Sequence, residues 1–187
     1  ICNDTINLIR RDSYRGIYAN YIKSANSLFI AKNYKEAGNE VMKAIFFQEK
    51  YPEFIPGNED ALALKQKIGV EEYYQSLTIG KEKMVAKDYR AAFDEFDNAS
   101  KLENDYPVKK DRLLPELIKK SKLEVLFLVI DDAEKKVSDN NLVKARSIMR
   151  QVIDDQRAYG LFDNSTLSAE VEKLKKDSAD MHYNLGV

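Results

Sequence analysis

Residues 31–52 read AKNYKEAGNEVMKAIFFQEKYP, and fifty-five positions later residues 86–107 read AKDYRAAFDEFDNASKLENDYP. Eight of the 22 aligned positions are identical, where random pairing at ordinary residue frequencies gives only about one or two. The chain therefore contains an internal repeat, and fixed-period repetition dictates the architecture that can follow.

Each copy reads as a helix, a tight turn, a second helix and a stop. Before the first shared stretch, Ile17, Tyr18, Tyr21, Ile22, Ala25, Leu28 and Phe29 fall three and four apart, an apolar stripe on one helix face. Asp12 and Ser13 offer caps at its start. Lys32-Asn33 interrupts the pattern, and a second stripe follows at Tyr34, Ala37, Val41, Ala44, Ile45 and Gln48. Pro52 ends it, because the residue before a proline is pushed out of the α region. In the second copy, Pro56-Gly57-Asn58 precedes a long helix over about 61–86, with Leu62, Ile68, Tyr73, Leu77, Gly80 and Met84 inward. Lys87-Asp88 turns the chain, and Tyr89, Ala92, Phe93, Phe96, Ala99 and Leu102 line the returning helix before Tyr106-Pro107.

A weaker third copy follows 53 residues on. Asn141-Leu142 takes the place of the turn, and Ala145, Met149 and Val152 repeat the spacing of Ala92, Phe96 and Ala99. The helix before it contains LEVLFLVI at 123–130, a run that a short buried strand would also show. Leu117, Leu123, Leu126, Phe127, Ile130, Ala133 and Val137 extend a helical stripe across it, with no turn residue beside it, so a deeply buried helix is expected. After Gly160, a loop at 162–165 leads into a terminal helix over about 166–184, with Leu167, Val171, Leu174, Ser178 or Ala179, and Tyr183 on one side. The expectation is one all-α domain over 1–187: a right-handed α-α superhelix of three helix-turn-helix repeats, about 13–52, 61–107 and 115–159, plus that helix.

Composition narrows the function classes. Thirty Lys and Arg against 31 Asp and Glu leave a formal net charge of −1, so no global field draws in nucleic acid. The single cysteine, Cys2, excludes an intramolecular disulfide and a cysteine metal cluster. No apolar run reaches the roughly 18 residues that span a bilayer. The first residue is Ile rather than Met and no signal-peptide pattern follows it, so a processed product or excised fragment is expected, as a monomer or part of a larger chain.

The repeated residues, together with their mechanical sense, resemble the tetratricopeptide repeat. Asn33-Tyr34-Lys35-Glu36-Ala37, Asp88-Tyr89-Arg90-Ala91-Ala92 and Asn141-Leu142-Val143-Lys144-Ala145 resemble that family's turn. Ala25 and Gly80 match its small position in the first helix, Ala44 and Ala99 that in the second, and Pro52 and Pro107 close the unit. The period departs from the family's roughly 34 residues, with the excess in longer first helices and loops. The Tyr-Pro ending is similar to repeats in bacterial envelope assembly factors, which favours an envelope or periplasmic location over the cytoplasm.

The resemblance implies a non-catalytic scaffold whose first helices present a concave groove to a protein or peptide. Eleven residues before Ala37, Ala92 and Ala145 stand Asn26, Lys81 and Glu134, the candidate groove positions, and seven residues before the last two stand Tyr74 and Phe127 as candidate apolar anchors. Core packing is the competing reading for both aromatic residues, and ordinary solvation for Lys81 and Glu134. Where the family's clamp for acidic carboxy-terminal tails needs Lys, this chain has Ile22, Leu77 and Ile130, so such tails are not expected to bind.

Catalysis, a cofactor and a metal site are not expected. His182 is the only histidine, and Asp131-Asp132 and Asp154-Asp155 are adjacent residues that point about 100° apart on a helix. There is no glycine-rich phosphate loop and no HExxH. The alternative function is an envelope protein that binds a glycan or peptidoglycan fragment, with tyrosine platforms in place of the absent tryptophan.

Overall fold

The computed structural model describes residues 2–139, 141–161 and 164–184, leaving aside the side chains of residues 2–4, 178 and 181–184. Among the described residues there are seven α-helices and no strand: α1 (Cys2–Ile30), α2 (Tyr34–Lys50), α3 (Glu59–Val85), α4 (Tyr89–Asp105), α5 (Leu114–Ser138), α6 (Leu142–Ala158) and α7 (Ser165–Asn184). LEVLFLVI lies within α5, as the helical stripe predicts. Among the described residues no helix is long and apolar enough to cross a membrane.

The turns that join first to second helices follow one scheme. At the end of α1, the Asn33 amide donates to the Leu28 carbonyl and the Lys32 amide to that of Phe29, at 2.9 Å each. At the end of α3, Asp88 donates to Lys83 and Lys87 to Met84, at 3.0 and 3.2 Å. This is the paired bonding of a Schellman motif, which needs a left-handed residue after the helix. Lys32 and Lys87 supply it at φ 59° and 60°, a conformation that glycine adopts with far less strain. The next residue already belongs to the following helix: the Asn33 carbonyl accepts from Ala37, and the Asp88 carbonyl from Ala92. In the third hairpin Asn141 donates to Lys136, and its side chain accepts from the Lys144 amide at 3.3 Å, capping α6.

Contacts divide the chain into two compact units, Ile1–Ile79 with Asp97–Asp111, and Gly80–Phe96 with Arg112–Val187. In the first, α1 packs on α2 over a core of Ala25, Tyr34, Ala37, Val41, Ala44 and Ile45, closed by Ala61, Leu64 and Ile68 from α3. The Gln48 side chain donates to the Ile55 carbonyl and accepts from Asn58, both at 3.2 Å. Its place in the α2 stripe thus holds the loop to α3. Buried Tyr73 secures the segment after α4, donating to the Lys109 carbonyl and accepting from the Asp111 amide at 3.0 Å.

In the second unit α5, α6 and α7 pack together over Leu126, Ile130, Ala133, Ala145, Met149 and Val152, with Leu167, Val171 and Leu174 from α7. Buried Gln156 donates to the Leu161 carbonyl and the Ser168 hydroxyl, tying the α6–α7 turn. The Leu167 amide donates to the Asn164 side chain at 2.8 Å, a cap for α7. Phe162 and Asp163 of the expected loop, and the side chains of Ser178 and Tyr183, fall outside the described residues.

Four sequence expectations differ. Ile17, expected in the apolar stripe of α1, is exposed, and the buried part of that helix begins further along, at Ala25. Asp12 and Ser13 lie inside α1, not at its start, because both face solvent and nothing in the preceding turns breaks the helix. Leu62 is exposed, and Ala61 and Leu64 take the core face. Ala179 is exposed beyond the last α7 core residue, Leu174.

Candidate functional site

The tyrosine before each hairpin's end meets the same position of its first helix, counted by offsets of 55 and 53. In the first copy, Tyr51 stacks on Tyr14 with ring centroids 4.4 Å apart, and Phe54 covers Tyr14 at 4.9 Å. In the second, the partner of Tyr106 is Gly69, where an added Cβ would fall 2.3 Å from the ring. In the third, Lys122 places its ammonium 5.0 Å from the Tyr159 ring and 5.3 Å from that of Phe93. An aromatic, an empty and a cationic position therefore receive the same tyrosine.

Tyr106 and α3, with α2, shape an open cleft of about 210 Å³ in the first unit. Gly38, Met42 and Ile68 form its apolar part, with Lys35 and Asn39 contributed by α2 and Lys65 and Glu72 by α3. The absence of a side chain at Gly69 is what lets Tyr106 lie against α3 as a wall. Burial raises the Tyr106 hydroxyl above its ordinary 10.0, and the nearby Glu72 and Asp105 carboxylates add to the effect. Neither Lys35 nor Lys65 has a described carboxylate within 4.0 Å, whereas Lys43, Lys83, Lys101, Lys173 and Lys175 each do.

A different cleft, about 320 Å³, lies in the second unit. Val125 and Val129 of α5 and Ile148 of α6 give it an apolar lining, with Leu128, 51% exposed, at its lip. Arg90, Asp132 and Gln151 supply the polar rim. Asp132 also stands 3.7 Å from Lys136 one turn further along α5.

The five sequence candidates are distributed over both units. Asn26 is exposed on α1 and its amide donates to the Ile22 carbonyl at 3.0 Å, a bond within its own helix. Tyr74 is 44% exposed, edge-on to Tyr73 at 5.1 Å. Lys81 is exposed near the end of α3. Phe127 is half-buried and packs against the core of the second unit, and Glu134, two turns on along α5, accepts from Lys173 of α7 at 2.9 Å. Thus Tyr74 and Phe127, which hold matching places in the repeat, have different surroundings: Tyr74 has a solvent-facing side and Phe127 supports the core.

Sequence reading passed over Lys35, Lys65, Arg90 and Leu128. The one usable signal was Gly69, a glycine in the middle of a helix, which costs about 1 kcal/mol relative to Ala and calls for a close-packed neighbour. No group of three or more His, Cys, Asp or Glu side chains among the described residues is placed to hold a metal ion. Asp154 lies 4.0 Å from Arg157 on an exposed face. The Cys2 and His182 side chains fall outside the described residues.

Comparison with known proteins gives no matching family model, no matching curated protein and no matching solved structure. The functional reading consequently rests on the geometry of the two clefts and on the hairpins that frame them.

Proposed function

We infer that the chain is a non-catalytic binding module for a protein or peptide partner, built as a tetratricopeptide-like superhelical stack of its three hairpins. The observation that carries this reading is the cleft of the second unit, whose apolar lining stays open to solvent beside a half-exposed Leu128. Open apolar surface framed by charged side chains is the usual ground for protein recognition. Arg90 at the rim favours a partner segment that places a carboxylate next to an apolar side chain. Because the walls belong to packed helices, such a segment would meet a preformed surface and incur little ordering cost on this side of the complex. Asn26 and Tyr74 on the first unit, and Lys81 on the second, are further candidate contacts.

Affinity capture with the chain as bait, followed by equilibrium titration of the recovered partner in purified form, tests the reading. Leu128→Asp is expected to weaken that partner at least tenfold, and Arg90→Glu to weaken it less. Both substitutions replace solvent-facing side chains and leave the helical circular dichroism unchanged. A partner that binds wild type and Leu128→Asp equally refutes the assignment of this cleft. Asn26→Ala and Lys81→Ala ask the same of the first-helix positions.

A further inference from the structure

We propose that the cleft in the first unit is a second site, for a small hydroxylated carboxylate of the sugar-acid class. Its two banks come from different helices, Lys35 and Asn39 from α2, and Lys65 and Glu72 from α3. Two ammonium groups face one carboxylate there, so the lining carries a net charge of 2 − 1 = +1 and favours an anion. Neither ammonium has a described carboxylate partner, so an incoming carboxylate displaces no existing ion pair.

The remaining lining decides between kinds of anion. The Asn39 amide can donate to and accept from hydroxyls, and the Glu72 carboxylate, which also accepts from the Asn98 amide at 3.5 Å, can accept from them on the opposite bank. Apolar surface comes from Gly38, Met42 and Ile68 and from the Tyr106 wall. Such a lining suits a ligand that is polar along all its edges and presents one flat apolar side, as a sugar ring does. A peptide with an apolar anchor fits the reverse arrangement, which is the one in the second unit. A volume of about 210 Å³ corresponds to roughly seven water molecules at about 30 Å³ each, more than a simple ion needs. The site is particular to this copy, because only Gly69 lets a tyrosine close the wall.

Titration of the ¹⁵N-labelled chain with D-glucuronate, with D-glucose and acetate as controls, tests the proposal by amide chemical shift. Saturable shifts are expected at Gly38 and Asn39, with glucose and acetate each at least tenfold weaker. The double variant Lys35→Gln, Lys65→Gln is expected to lose at least tenfold in glucuronate affinity, the scale of losing charge-assisted hydrogen bonds, while Leu128→Asp leaves it unchanged. Should the double variant not fold, the single variants are read the same way. An oligogalacturonate arm distinguishes sources: tighter binding than the monosaccharide acid assigns the ligand to a polymer, equal binding to a free acid. Absence of saturable shifts, an unaltered affinity in the lysine variants, or acetate binding as tightly as glucuronate would overturn the assignment.

Discussion

The first and second hairpins share their turn, their small crossing residues and their closing tyrosine, yet they use that tyrosine in opposite ways. In the first it is one member of an aromatic group, stacked on Tyr14 beside Phe47 and Phe54. In the second the facing position is Gly69, and the ring fills a space that a side chain would otherwise occupy. A second pair differs in the same sense. Gly80 faces Phe96, with an added Cβ only 2.5 Å from the ring, while the corresponding residues are Ala25 and Val41 in the first copy and Ala133 and Met149 in the third. At this second pair the volume missing at one position is returned at the other, a volume rule that close-packed interiors favour. The tyrosine pair does not follow it, because Tyr51, Tyr106 and Tyr159 are kept while the facing residue changes from Tyr14 to Gly69 to Lys122.

The largest expected effect comes from breaking that volume rule. Gly80→Ala drives a methyl group into buried Phe96 and is expected to destabilise the protein by about 2 kcal/mol in urea unfolding, after the helix preference of alanine offsets part of the clash. Combining it with Phe96→Met imports the pair already present as Ala133 and Met149. A double-mutant cycle is expected to return a favourable coupling of about 1 kcal/mol or more, and strict additivity would show that the pair does not act as a unit. Gly69→Ala should do less, because half-buried Tyr106 can swing toward solvent.

A smaller effect of opposite sign sharpens the likeness between the hairpins. Lys32 and Lys87 both hold a left-handed backbone that costs a non-glycine residue about 1–2 kcal/mol. Replacement by glycine removes that strain but enlarges the entropy of the unfolded chain. A net stabilisation of up to about 1 kcal/mol is expected at either position, read as a rise in denaturation midpoint. If one variant gains and the other loses, the two turns are not equivalent.

The smallest effect appears only in alkali. Burial raises the hydroxyls of Tyr73 and Tyr106 above 10.0, so the folded state holds these protons more tightly than the unfolded chain does. Their contribution is complete below about pH 10 and is lost as pH rises through the folded values. Urea midpoints should stay level from about pH 7 to 9, fall above 10, and fall less steeply in Tyr106→Phe.

Much of the helical framework was legible because its signals are local. Residue spacing marked the stripes, Pro52 and Pro107 marked the ends of α2 and α4, and Ala37, Ala92 and Ala145 marked buried crossing points, all three with no exposed surface. What the sequence concealed depends on facing partners. Asp12 and Ser13 read as a start because capping residues look the same whether or not the chain continues as helix before them. Leu62 read as inward because the stripe of α3 is wide, and only the packing of Ala61, Leu64 and Ile68 on α2 selects the face. Lys35 and Lys65 come to line one cleft only after α2 and α3 are docked, so no motif in either helix announces them. The contrast between Tyr74 and Phe127 was likewise invisible, since identical register says nothing about which neighbour arrives.

The corner between first and second helices has no spare residue: Lys32 or Lys87 closes one helix, and Asn33 or Asp88 at once opens the next. A corner of that kind cannot absorb an inserted residue without undoing both sets of backbone bonds. The stretches after Pro52 and Pro107 are longer and are held mainly by side chains, Gln48 on Ile55 and Asn58, and Tyr73 on Lys109 and Asp111. Changes of length, grafted segments and new chain termini should therefore accumulate between hairpins rather than at these corners, so the repeats can diverge in period while the corners keep their bonding.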